Sequence, residues 1–446
     1  MKVTRLGVLA ASAAIVFGAC SSAATPSPTT APAASPGASE SAPASASPGA
    51  SKGTLTIGTE LPMSGGETAN GEPTANGVKL AVQKINAAGG VDGWTINVNV
   101  QDDAVNGVHD PQQGAKNMQT LASDPTVVGV VGPFNSSVAQ AEIPISNEAG
   151  LLQCSPANTN TGLTYPPDAL QYRPSNPDKI AYIRLAAPDS IQGPAGADFV
   201  YNDLGAHSVY ILDDTETFGV GVGDAFQAEF KKLGGNVVKR DSAPKSTTDY
   251  TSLFTAAAAL KPAAVYLAGT TPSGMGLALK QGRTVPGMET IPFMGPDGVA
   301  DLGTGGTEGA TITVAGTAAH DVYGTVAGVH DIPNATQFIA DYKTAFGQDP
   351  GAYSAIGYAC AQVILAGVKT ALDAGTSDPA AIREAVRSAA TASGNSFDTV
   401  IGTVSFDKNG DNTKPVMSFY KTDLTAEGGK GGWVFVKQQA FTDPNA

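Results

Sequence analysis

Two hydrophobic rhythms alternate along most of this chain, one of period two and one of period 3.6. The stretch "TLTIGTELP" (54–62) alternates apolar and polar positions and then runs into a loop. Val78, Val82 and Ile85 follow at helical spacing, and Gly89-Gly90 closes that helix. The series continues with "TINVNVQDD" (95–103), a helix through 111–123, "TVVGVVGP" (126–133), a helix through 138–149 and "LLQCSPA" (151–157). A second series repeats the theme: "SVYILDD" (208–214), a helix over 221–233, "NVVKRDSAP" (236–244), a helix over 249–260, "AAVYLAG" (263–269), a helix over 273–283 and "TIPFMGPDG" (290–298).

Strands separated by single helices predict parallel sheets covered by helices on both faces, an α/β doubly wound architecture. Ligands of such sheets bind beyond the carboxyl ends of the strands. Polar and glycine-rich residues gather at those ends. In the first series they are Met63-Ser64-Gly65-Gly66, Asn135-Ser136-Ser137 and Ala157-Asn158-Thr159. In the second they are Asp213-Asp214, Gly269-Thr270-Thr271 and Pro296-Asp297-Gly298. That division predicts two facing lobes, each offering half of a cleft. Three late helices (334–346, 353–374, 379–390) and the late strands in "GTVSFDKNGD", "VMSFYKTD" and "GGWVFVKQ" return the chain to complete both lobes.

Length supports this division, since 446 residues exceed what one hydrophobic core holds. A net charge of −14 and a pI near 4.7 argue against nucleic acid and against anionic membrane surfaces as partners. The N-terminus is different in kind. Lys2 and Arg5 precede the apolar run Leu6 to Phe17, and Gly18-Ala19 stand before Cys20, the layout of a secretory signal over residues 1–19. The Cys placed directly after small residues resembles the bacterial lipobox, in which the thiol is acylated after cleavage, so Cys20 is expected to carry a lipid anchor. Residues 20–52 hold almost nothing more apolar than Ala and Pro and predict a disordered tether, spanning roughly 30 Å on average.

Catalytic and metal motifs are missing from the sequence. The four histidines, His109, His207, His320 and His330, have no metal-ligand spacing, and neither a GxSxG elbow nor a GxxxxGK[ST] loop occurs. Gly219-Val220-Gly221-Val222-Gly223 is GxGxG, with Asp224 where a dinucleotide loop would have its last glycine. Asp407 to Asp411 has the wrong glycine position for a calcium loop and reads as a hairpin turn. No cofactor, no metal and no enzymatic activity are therefore expected. Cys154 and Cys360 either form a disulfide in an oxidising compartment or remain as two buried thiols.

The junction "VVGPFNSSVAQ" stands out because a run of β-formers opens at once into Asn135, Ser136, Ser137 and a helix. Hydroxyls beside the unpaired N–H groups of a helix start make a seat for an anion such as a carboxylate, although Asn and Ser are also ordinary caps.

The segments "LPMSGGETANGEPTANGVKLAVQKINAAGGVDGW", "VVGPFNSSVAQAEIPISNEAGLLQCSPANTNTGLT", "RLAAPDSIQGP", "TETFGVGV" and "IPFMGPDGVAD" resemble, in order and spacing, the leucine/isoleucine/valine-binding family of solute receptors for ABC importers, with the type 1 periplasmic-binding fold. The resemblance runs from about Thr54 to the end and implies two lobes joined by a three-strand hinge that close on a small ligand. It implies that Ser136, Ala157 and Thr159 hold the ligand's α-carboxylate and that Asp297 meets its α-ammonium, with Asp214 or Glu216 as the second choice. Phe218 covers the ligand, while Ser64 and Thr270, which replaces a family aromatic, complete the site.

The expected organisation is a first lobe of residues 53–188 plus 318–401 and a second of 189–317 plus 402–446. The expected protein is extracytoplasmic, attached to the membrane through its lipid alone, and monomeric. It captures an amino acid or similar small zwitterion and delivers it to an ABC permease. The alternative is a tethered sensor built on the same cleft, or a binder of another small carboxylate or amide.

Overall fold

The computed structural model describes residues 51–442; the expected signal, Cys20 and nearly all of the tether lie outside them. Five strands form the first sheet: β1 (Gly53–Leu61), β2 (Trp94–Asp102), β3 (Val127–Val131), β4 (Gln153–Ser155) and β5 (Tyr182–Arg184). Their order is β2-β1-β3-β4-β5 and every pairing is parallel. Burial of both sheet faces explains why β3 reads as an unbroken apolar run, "VVGVV", with all five residues buried. Three helices alternate with the first four strands: α1 (Thr68–Ala87), α2 (Pro111–Ser123) and α3 (Ser136–Ala149). Asp110 caps α2, accepting from the amides of Gln112 and Gln113, and Pro111 occupies the first helical position.

The second sheet holds β6 (Ser208–Asp213), β7 (Asn236–Ser242), β8 (Ala264–Ala268), β9 (Phe293–Gly295), β10 (Val322–Val326), β11 (Val416–Asp423) and β12 (Gly432–Ala440), in the order β12-β11-β10-β9-β8-β6-β7. Helices α4 (Asp189–Asp198) and α5 (Thr217–Lys232) pack on each other beside it. This sheet is mixed, a departure from the all-parallel expectation. β11 pairs antiparallel with both β10 and β12; a short connection joins β11 to β12, whereas three helices and a hairpin separate β10 from β11 along the chain.

Two of the expected boundaries move. Residues 322–326 fall within the expected first lobe, but β10 pairs with β9 in the second sheet. Residues from 402 fall within the expected second lobe, yet the hairpin Ser396–Thr399 with Gly402–Ser405 buries Phe397, Ile401, Val404 and Phe406 in the core cluster beneath the first sheet. Both sheets belong to one compact unit, and the chain passes between them three times, at 185–188, 327–334 and 406–415.

The first lobe is finished by α6 (Ala335–Phe346), α7 (Ser354–Asp373) and α8 (Pro379–Thr391). Helix α7 is long and apolar enough to cross a membrane, but it is a core helix, lying against α1, α8 and β3. Ile364 sits so close to Gly129 that a methyl there would meet it at 2.9 Å. Cys360 of α7 is bonded to Cys154 of β4, with 5.6 Å between their Cα atoms, so the returning segment is pinned to the sheet; of the two states the sequence left open, the structure has the disulfide.

Candidate functional site

In each sheet the strand order reverses next to its first strand, between β1 and β3 in one and between β6 and β8 in the other. At such a point successive connections leave in opposite directions and a crevice opens beyond the strand ends. The two crevices face one another across a small cavity, lined by Phe134, Asn135, Ser136, Ala157 and Thr159 from the first lobe and by Phe218, Thr270, Asp297 and Gly298 from the second. Other depressions open on the surface elsewhere. The one between α1 and α7, over Ala81, Ile85 and Leu365, has an apolar floor and its charged groups only at the rim.

The first-lobe half is built by the junction after β3. Gly132 has φ +139, and a Cβ there would stand 2.1 Å from the Glu60 carbonyl, so only glycine lets β3 leave the sheet this close to β1. Asn135 takes the N-cap position of α3, but its side chain makes no cap hydrogen bond and its Oδ1 is buried without a partner. The hydroxyls of Ser137 and Thr159 are likewise buried and unpaired, while Ser136 Oγ only accepts a long bond of 3.4 Å from the Asn160 amide. Beside the open end of a fourteen-residue helix, these groups make a neutral cradle suited to an anion. The turn carrying Ala157 and Thr159 is held in shape by Ser155 Oγ, which accepts from the Asn158 amide at 2.9 Å, and by Asn158 Nδ2, which donates to the Phe134 carbonyl at 2.6 Å.

The second-lobe half contributes charge. Asp297 follows β9 and is 6% exposed. One of its oxygens accepts the hydroxyl of Tyr353, which stands just before α7 in the first lobe, so this bond spans the cleft. The other oxygen, Oδ1, has no partner. Burial pushes the Asp297 carboxyl up to about 6 despite the Tyr353 bond. Asp214 and Glu216, the second-choice acids, are committed elsewhere. Asp214 accepts from the amides of Glu216 (3.0 Å) and Thr270 (3.1 Å), and Glu216 lies 3.5 Å from Lys245. Thr270 spends its hydroxyl capping its own turn through Ser273, which leaves its methyl and backbone to the cavity.

Six of the seven expected ligand residues therefore come together, and Ser64 does not. Its loop is tied to the neighbouring hairpin by the Met63 amide on Asp102 and the Gly66 amide on the Gly107 carbonyl, and Ser64 is exposed. Two groups escape the sequence reading. Tyr353 is one, hidden because it arrives from a helix 56 positions after the acid it contacts. Asp189 is the other. It opens α4 at the first crossing, is 2% exposed, and has both carboxylate oxygens unpaired. Burial, reinforced by the charge of Asp297, pushes it up to about 8. Its place directly after Pro188, at the first position of a helix, is the one signal the sequence offers.

Bonds across the cleft show both lobes closed on this cavity: Thr217 Oγ1 donates to Gln140 Oε1 and Asn160 Nδ2 donates to the Thr217 carbonyl, each at 3.0 Å. Among the described residues no cluster of His, Cys, Asp or Glu is arranged to hold a metal ion.

Comparison with known proteins agrees with this fold. The family model described as "Periplasmic binding protein" matches residues 54–430. The Leu/Ile/Val-binding protein of Escherichia coli (strain K12) is 30% identical over 350 residues, covering 78% of this chain and 85% of its own. The structure of a Streptococcus pneumoniae branched-chain amino acid transporter substrate-binding protein in complex with isoleucine superposes with a TM-score of 0.69 at 24% identity, covering 86% of this chain and all of that one. A solute-binding protein of an R. palustris ABC transporter in complex with benzoate gives 0.66 at 23%, covering 88% and 98%. At these identities the two structures speak for a shared fold.

Proposed function

Because the chain belongs to the periplasmic binding protein family, whose members are extracytoplasmic binding proteins serving transport and not enzymes, we propose that its interlobe cavity captures an amino acid, or a similar small zwitterion, for delivery to an ABC permease. One observation carries this reading. A neutral hydroxyl-and-amide cradle at the start of α3 faces, across a closed cavity, the free oxygen of the buried Asp297. The cradle takes the α-carboxylate through Ser136, Thr159 and the helix amides, and Asp297 takes the α-ammonium. Phe134, Ala157, Phe218 and Thr270 enclose what remains.

A benzoate-like acid is the second reading, motivated by the R. palustris neighbour. The same cradle suits its carboxylate, but Asp297 would then be buried facing a ligand with no cation, an unfavourable arrangement. The zwitterion is preferred for that reason.

Calorimetry on residues 53–446 tests the site. Asp297→Asn and Ser136→Ala are each expected to weaken amino-acid binding by about 1–3 kcal/mol, as loss of charge-assisted contacts does. Unchanged affinity in both variants excludes the site; loss of amino-acid binding with benzoate binding retained in Asp297→Asn supports the assignment of the acid. Affinity is also expected to fall as pH drops below about 6, since the empty site protonates Asp297 there and a neutral carboxyl no longer attracts an ammonium. A pH-independent affinity between about pH 5 and 7 contradicts an ammonium on Asp297.

The same reading has the protein held to its membrane through Cys20 and the Ala/Ser/Pro tether, acting as a monomer. Labelling with a radioactive fatty acid, lost in Cys20→Ser, tests the anchor.

A further inference from the structure

The turn Asp407 to Asp411, which the sequence marks only as a hairpin turn, lies in the third crossing and does more than reverse the chain. Asp407 organises it, its Oδ1 accepting from the amides of Asn409 (2.8 Å) and Asp411 (2.9 Å). Gly410, with φ +99, then lets the segment run beside β5: a Cβ there would lie 2.5 Å from the Tyr182 carbonyl, and the Arg184 amide donates to the Gly410 carbonyl at 3.0 Å. Arg184 ends β5 and begins the first crossing. Two of the three connections between the lobes thus leave the first lobe side by side.

They are locked there by a buried charge pair. Arg184 is 0% and Asp411 2% exposed; Nε donates to Oδ1 at 2.5 Å and Nη2 lies 3.3 Å from Oδ2. Thr164 bridges them, accepting from Arg184 Nη2 at 2.7 Å and donating to Asp411 Oδ2 at 2.9 Å. The remaining guanidinium nitrogen, Nη1, reaches the cradle itself. It donates to the carbonyl of Asn160 at 2.7 Å, and the carbonyl of Asn158 lies 3.5 Å away. Those two peptides flank Thr159. Asn160 in turn donates its amide to Ser136 Oγ and its side chain to Thr217 across the cleft.

We infer that Arg184, Asp411 and Thr164 are positioning residues for ligand capture: they fix the Asn158–Asn160 turn in its binding shape and join it to two hinge connections, so that cradle and hinge move as one piece. A guanidinium suits this task because its fork of donors holds a carboxylate on one side and carbonyls on the other. Were the pair only a prop for the first-lobe core, apolar residues of similar volume would serve as well or better. The inference rests on the reading of the cleft as the ligand site.

The decisive variant is Thr164→Val, which keeps the charge pair and the volume and removes the bridge. Wild type and variants are titrated calorimetrically with L-leucine, L-alanine, L-serine and benzoate in turn. For whichever of these wild type binds, Thr164→Val is expected to raise Kd about tenfold at unchanged stoichiometry, and Thr164→Ser to restore it to within about twofold. Wild-type Kd at full stoichiometry in Thr164→Val, whatever its melting temperature, overturns the inference, because a merely structural bridge changes the folded fraction and not the affinity of each folded molecule. If Thr164→Val does not fold, Asp411→Asn takes its place: a raised Kd supports the inference and a wild-type Kd overturns it. Ser136→Ala and Asp297→Asn, run alongside, separate the two claims. If both bind as wild type, or wild type binds none of the four solutes, the cleft reading falls. If they lose binding while Thr164→Val does not, only the hinge inference falls.

Discussion

Raising the pH from about 5 to about 8 is expected to lower the melting temperature of this protein, the reverse of the acid lability common among proteins whose carboxylates are paired in ion pairs. The cause is a set of buried carboxyls that take part in no ion pair. Burial lifts Asp189 to about 8, Asp214 to about 7, and Asp297 and Asp301 to about 6. Glu60, Asp103 and Glu142, which lie close to one another, are lifted by burial too, the last two well above the ordinary carboxylate range. In the unfolded chain all of them ionise near the reference values of 3.8 and 4.5. The native state therefore binds more protons between those values and the raised ones. Stability from this source is complete below about pH 4 and is lost as pH rises through the interval from 6 to 8. Each retained proton contributes about 1.4 kcal/mol per pH unit, so the loss from several groups is large against the net stability of a typical domain. Exposed carboxylates with lowered values, such as Asp321 beside Lys421 and Asp341 beside Lys84, work in the opposite sense and only below about pH 4. Calorimetric scans of ligand-free protein at several pH values check this; a melting temperature that is level or rises from pH 5 to pH 8 refutes it.

Removing the Cys154–Cys360 bond is expected to cost about 2–5 kcal/mol, measured by urea unfolding of the Cys154→Ser, Cys360→Ser double variant. The bridge spans 206 positions, and closing so long a loop restricts the unfolded chain strongly. Both cysteines are fully buried in the first-lobe core, so the serine pair also puts two hydroxyls where Val363 and Ile364 pack. A loss below about 1 kcal/mol would mean that the helix docks on the sheet by packing alone.

Much of the architecture is legible because its signals are local. Helix α2 falls on the predicted span of 111–123, and the strands of the first series match their apolar runs to within about two residues. What the pattern conceals is non-local. β5 is three residues long, too short for any periodicity to show, and β10 reads no differently from a first-lobe strand until its partner is known. The antiparallel β11 and β12 carry the same apolar alternation that a parallel edge would. At the site, the ends of β3, β8 and β9 can be read because turn and cap residues mark them. Asp189 and Tyr353 cannot, since each matters through a partner from a distant segment, Asp297, and no spacing rule links them. Ser64 joins the expected set because its loop follows a strand end; the structure turns it outward instead.

The bond between Cys154 and Cys360 also fixes how damage to this protein would look. Every residue from 155 to 359, which takes in β5 through β10 and two of the three interlobe connections, lies inside one covalent ring. A protease that nicks a loop of that ring leaves both pieces attached, and they separate on a gel only after a reductant is added. Outside an oxidised state, the same nick would release the N-terminal fragment, and any lipid it carries, from the remainder of the receptor.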